Sequence, residues 1–199
     1  QVVGYSAVGL TFHAFLYSGG QMSGLGTYNY VMSVAFDVND TAQIVGTVVN
    51  GSLKSRAFLY DDGTLLDLGS PLLSQSQAWV VNNAGMLAGY SWGNGQERSF
   101  VYAEGLVIDV GALTGFPKTY VRGINDAGQL VGNVSDASGS LSHAFLYAGG
   151  QLRDLNDWLL PGHDWESLSV AFDINNNGQI TGYGKRNGQT RAFLLTREP

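Results

Sequence analysis

Cysteine is missing from all 199 residues, so neither a disulfide framework nor a thiolate metal site is available to this chain. Charge is scarce as well: 13% of residues are Asp, Glu, Lys or Arg, and the net charge is −6. Ten scattered Lys and Arg cannot build the basic surface that nucleic acid requires. No apolar run approaches the roughly 20 residues of a membrane-spanning helix. No stretch carries a helical apolar stripe with caps. No signal peptide is visible, and Gln1-Val2-Val3-Gly4-Tyr5-Ser6 opens directly as a strand, which reads as a trimmed or matured start.

What the chain does have is 44% hydrophobic residues, enough for a core, and 28 glycines. That pairing suits short strands and tight turns. Three signals recur in a set order. An apolar pair precedes glycine at Val2-Val3-Gly4, Ile44-Val45-Gly46, Leu87-Ala88-Gly89, Leu130-Val131-Gly132 and Ile180-Thr181-Gly182. An Ala-Phe-Leu-Tyr type run follows at Ala14, Ala57, Ser99, Ala144 and Ala192. An apolar-Asn turn stands at Val38-Asn39, Val81-Asn82, Ile124-Asn125 and Ile174-Asn175. The glycine spacings are 42, 43, 43 and 50.

β-branched and aromatic residues fill the runs, so each repeat reads as four strands, a to d. Strand a precedes the Asn turn. Strand b ends in the apolar-Gly pair, strand c is the Ala-Phe run, and strand d has the Leu-x-Asp-Leu form. In turns such as Asn125-Asp126-Ala127-Gly128, the first side chain bonds its own backbone and glycine accepts positive φ. Ala42 occupies that glycine place in the second unit and predicts a strained turn. Glycines inside strands, such as Gly46 and Gly132, predict close approach of a neighbouring sheet or of the strand-c ring.

His13-Ala14-Phe15-Leu16-Tyr17, His143-Ala144-Phe145-Leu146-Tyr147 and Ile124-Asn125-Asp126-Ala127-Gly128-Gln129-Leu130-Val131-Gly132 carry a resemblance. They resemble the HAF family of bacterial extracellular repeats, over essentially the whole chain. The resemblance implies a secreted or cell-surface protein and says little about activity. Arg56, Ser99 and Arg191 fall where His13 and His143 stand, or next to that place, so the histidine is not required of every unit.

The expected fold is all-β: a β-propeller of about five four-stranded blades, since four-stranded units repeated radially make one. The approximate units are 1–34, 35–76, 77–119, 120–169 and 170–199. Counting gives 18 strands rather than 20: the first unit lacks a and the last lacks d. A segment upstream could complete the ring, another copy could supply the strands, or the ring could close on four blades with an extra hairpin. Open edges in an apolar sequence make oligomer or filament formation an expectation.

The b–c and d–a loops share one face and are the longer, more varied set, where function concentrates over a rigid scaffold. Tyr28, Tyr30, Trp92, Phe116, Trp158 and Trp165 are expected on that face, with His163 in the longest loop, as a partner-binding or sugar-binding platform. The opposing expectation is a plug of aromatic packing. Asp173-Ile174-Asn175-Asn176-Asn177-Gly178 imitates the start of a calcium loop, but Gly184 stands where the closing carboxylate belongs. His13, His143 and His163 lack metal spacing, and the first two read as hydrogen-bonded structural residues. No metal, cofactor or catalytic residue is therefore assigned. Asp37 and Asp173 on the inner strand leave a glycoside hydrolase as the remotest alternative. The function expected is a non-enzymatic extracellular binding or self-assembling module. Its partner is a protein, a further copy of itself, or a glycan.

Overall fold

The turn chemistry makes successive strands within a repeat hairpins, so consecutive strands of one sheet pair antiparallel. A computed structural model describes residues 1–196. Its 18 strands form five meandering sheets. The first holds β1 (Val2–Val8), β2 (Thr11–Ser18) and β3 (Gln21–Gly26). The second holds β4 (Met32–Val38), β5 (Ile44–Val49), β6 (Ser55–Asp61) and β7 (Thr64–Gly69). The third holds β8 (Gln75–Val81), β9 (Leu87–Gly93), β10 (Gln96–Ala103) and β11 (Leu106–Asp109). The fourth holds β12 (Lys118–Ile124), β13 (Leu130–Ser135), β14 (Ser142–Ala148) and β15 (Gln151–Asp154). A 3-10 turn, Leu155–Trp158, leads to β16 (Trp165–Ile174), β17 (Ile180–Arg186) and β18 (Gln189–Leu195). Among the described residues the first sheet has no strand a and the fifth no strand d, in line with the repeat count.

Four apolar clusters lie between successive sheets. Val45 and Leu59 of the second sheet meet Leu87 and Phe100 of the third. The same positions recur one blade later, where Ala88 and Val101 meet Leu130 and Phe145. An inner blade is therefore sandwiched, and Ile44 to Val48 are buried without interruption. At the far end β17 alternates, with Ile180, Gly182 and Gly184 buried and Thr181, Tyr183 and Lys185 exposed, because only one face is covered.

The blades are also clipped by polar groups. Buried Ser76 accepts a hydrogen bond from the Ala57 N–H at 2.8 Å and donates to the Gly69 carbonyl. Ser33 does the same with Ala14 and Gly26, at 2.9 and 2.7 Å. A strand-a hydroxyl thus satisfies a buried backbone N–H of the preceding blade and ties it to a carbonyl nearer the surface. The turns form a second clip. Asn39 Nδ2 donates to the Asn82 carbonyl (2.9 Å), Asn82 to Asn125 (3.0 Å) and Asn125 to Asn175 (3.2 Å). Ala42 has φ 65°, in the strained left-handed region.

Candidate functional site

The innermost strands β4, β8, β12 and β16 pack successively against one another. All four slip register against their b strands at one equivalent place, between Ala35 and Asp37, Ala78 and Val80, Val121 and Gly123, and Ala171 and Asp173. Each extra residue is a β-bulge, a device that re-aims one side chain. The bulged residues are Phe36, Trp79, Arg122 and Phe172.

These side chains meet across blades. Phe36 stacks on Trp79 with centroids 4.3 Å apart, and Trp79 lies nearly parallel to Tyr90 at 6.2 Å. Tyr90 meets Tyr120 edge-on at 5.8 Å. The Arg122 guanidinium lies 5.8 Å from the Phe172 centroid, a cation–π distance, and its Nε donates to Asn133 at 2.9 Å. Phe172 then approaches Tyr183 at 5.6 Å. Beside this column is a cavity of about 330 Å³ lined by Trp79, Tyr90, Tyr120, Val121, Arg122 and Phe172. Phe172 remains 49% exposed and Trp79 36%, so the rings are not sealed in a core. Burial pushes the Tyr120 phenol well above its ordinary pKa, and its hydrogen bond to Glu97 adds to the shift. It stays a neutral donor at physiological pH.

Three residues further along the chain the chemistry changes from aromatic to polar. Asn39, Asn82, Asn125 and Asn175 rim a cavity of about 340 Å³ that Asp173 also lines. Asp37 accepts from the Val38 and Val81 N–H groups, both at 2.9 Å, and so joins two blades. Burial raises its pKa. The two backbone hydrogen bonds oppose that shift, and the charge of Asp173 adds to it. An acid with a raised folded-state pKa contributes most below the ordinary carboxylate value of about 4, and loses stability as pH rises through the raised value. The thermal-stability advantage of the natural chain over Asp37→Ala is therefore expected to be larger in acid than at neutral pH. Melting curves at both pH values check this, and an advantage that grows with pH contradicts it.

The seven aromatic and histidine positions expected to form a platform are not brought together. Tyr28 donates to the Gly63 carbonyl at 2.9 Å, and Tyr30 donates to Asp67 while packing on the first interblade cluster. Phe116 packs on His143 at 4.5 Å. Trp165 meets Phe193 edge-on at 6.0 Å, and its backbone N–H donates to His163 Nδ1 at 3.1 Å. Trp158 lines a different cavity, between the fourth and fifth sheets. Of the seven, Trp92 reaches the axial column, 5.6 Å from Tyr90. The reason is local: each connection uses its ring to close the interface beside it. His143 bonds Asp154 at 2.6 Å and His13 bonds Thr11 at 3.2 Å, hydrogen-bonded as expected. Among the described residues, no three His, Asp or Glu side chains gather as a metal site, and no helix is long and apolar enough to cross a membrane.

No known family model matches this chain, and no curated protein sequence matches it. Similar solved structures exist. TolB from Acinetobacter baumannii superposes with a TM-score of 0.63 at 11% identity, over 98% of this chain and 48% of that one. A putative TolB from Agrobacterium tumefaciens superposes with a TM-score of 0.60 at 11% identity, over 99% of this chain and 70% of that one. The chain spans about half the length of the first. At such identity the likeness speaks for architecture alone, and the architecture is a β-propeller.

Proposed function

We propose that this chain is a non-enzymatic, extracellular propeller of the HAF repeat type that binds a protein partner through the axial aromatic column. The observation that carries this reading is the repeated bulge. Four blades share one backbone irregularity, and it delivers Trp79, Arg122 and Phe172 to one partly open cleft, with Phe36 stacked on Trp79. A bulge costs ladder hydrogen bonds, so its repetition at the inner strands fits a use for the side chains it turns. Trp, Tyr and Arg are the residues that dominate protein-interface energetics, because they give large rigid contact at low entropic cost. The open faces of the first and last blades also support self-assembly.

Selection of peptides from a displayed library against the folded chain tests this reading. Binders are expected to share an insertion motif and to lose about tenfold or more affinity to Trp79→Ala, as hot-spot truncation does. They should be indifferent to Trp158→Ala. Binders that ignore Trp79→Ala would overturn it. A glycan is the second reading, since Trp and Tyr with an arginine also suit a sugar ring. A glycan array with the same variant separates the two.

A further inference from the structure

Three of the four bulged positions hold a ring, at Phe36, Trp79 and Phe172, and the fourth holds a cation, Arg122. A ring at every place would serve packing alone, so the departure in the fourth blade calls for another use. The supporting strand departs with it. Tyr90 and Tyr183 directly follow the strand glycine and contact the bulged rings of their own blades. Asn133 takes that repeat position in the fourth blade. It is 6% exposed, its amide donates to Ser142 Oγ at 3.1 Å, and its oxygen accepts from Arg122 Nε at 2.9 Å. A buried, oriented acceptor thus holds one edge of the guanidinium. The terminal nitrogens make no hydrogen bond or ion pair among the described residues, and Arg122 is exposed.

The rest of the lining offers that charge no anion. Tyr90 donates its hydroxyl proton to Gln77 at 3.2 Å and Tyr120 donates to Glu97. Glu97 is also paired with Lys118 Nζ at 3.8 Å. Trp79, Val121 and Phe172 supply apolar surface. The cleft of about 330 Å³ therefore combines one uncompensated positive charge with ring faces. β12, which carries Arg122, has β8 on one side and β16 on the other, so this charge does not sit at an end of the array. A guanidinium edge presents two parallel N–H donors that match a carboxylate, and a pair partly shielded from water is stronger than an open one.

We infer that the axial cleft recognises a peptide carboxylate that lies beside an aromatic side chain. The ring packs against Trp79 and Phe172, and the carboxylate meets the free edge of Arg122. The inference rests on the reading of the column as a binding surface and names the chemistry that its partner brings. A chain terminus and an acidic side chain supply the same group, and the choice of probes separates them.

Nitrogen-15 chemical-shift titration of the 199-residue chain tests this with three probes. They are N-acetyl-tryptophan, its neutral amide, and the C-terminally amidated dipeptide N-acetyl-tryptophanyl-glutamate. The acid is expected to bind about tenfold more tightly than the amide, the gain of a charge-assisted pair over a neutral contact. Arg122→Gln, which keeps a donor for Asn133, should bring acid and amide to equal affinity. The amide still binds that variant, so lost preference is not lost fold. Arg122→Lys should retain a preference of about threefold, because a point charge lacks the fork. Trp79→Ala should weaken all three probes. A dipeptide that binds as tightly as the acid assigns the carboxylate to a side chain, and one that binds like the amide assigns it to a terminus. Equal binding of acid and amide to the natural chain, or an acid preference that survives Arg122→Gln, overturns the inference. If Trp79→Ala still weakens the probes in that case, the column remains the binding surface. Absence of binding by every probe also overturns the inference, and peptide selection then judges the column by itself.

Discussion

Gly132→Ala is expected to destabilise the fold by about 3 kcal/mol or more, while the equivalent change in the first blade, Gly4→Ala, is expected to cost under about 1 kcal/mol. A Cβ on Gly132 would sit 1.9 Å from the Tyr120 carbonyl oxygen and 2.9 Å from the Phe145 ring. The ring can shift, but the carbonyl belongs to an inner strand held on both sides. The same overlap recurs at Gly46 with Val34, at Gly89 with Gln77 and at Gly182 with Val170. Gly4 differs because no a strand lies beside β1, so its Cβ would meet only the Phe15 ring at 3.1 Å. Denaturant midpoints of the two variants test the argument. Equal losses would show that the ring, not the backbone, excludes the side chain.

Asn82→Ala is expected to cost about 2–3 kcal/mol, and Asn175→Ala clearly less. Buried Asn82 accepts from the Ala84 and Met86 N–H groups at 3.1 and 2.9 Å, and it donates across to the next turn. Truncation strands buried donors and breaks the interblade ladder at once, and an unmade buried hydrogen bond costs more than a typical one contributes. Asn175 makes the same local bonds, to Asn177 and Gln179, but its amide donates within its own turn and it is exposed. Water can replace what it loses. Thermal unfolding of both variants checks the difference, and a larger loss at Asn175 would contradict the ladder's role.

The strands were readable because each repeat states its pattern again. Leu130-Val131-Gly132 and Ala144-Phe145-Leu146 need no distant partner to declare themselves as strands, and Asn125 to Gly128 declares the turn between the inner pair. The axial column was not read. Phe36, Trp79, Arg122 and Phe172 share a repeat position but not a residue type. The available signal was a lapse in alternation, with a large side chain directly after the inward Ala35, Ala78, Val121 and Ala171. The d–a aromatics were conspicuous by identity, yet identity does not say which rings meet.

Local chain chemistry alone determined the repeat, the strands and the turns, because alternation and left-handed turn residues act over only a few neighbours. Tertiary structure alone decided that Trp79 meets Phe36 and Tyr90, and that Arg56 grips Asp67 while packed beside Tyr30 of the neighbouring strand's loop. Those pairings depend on how one blade rotates against the next and on bulges set by strand pairing. Both are properties of sheets packed together, and neither is carried by a single segment.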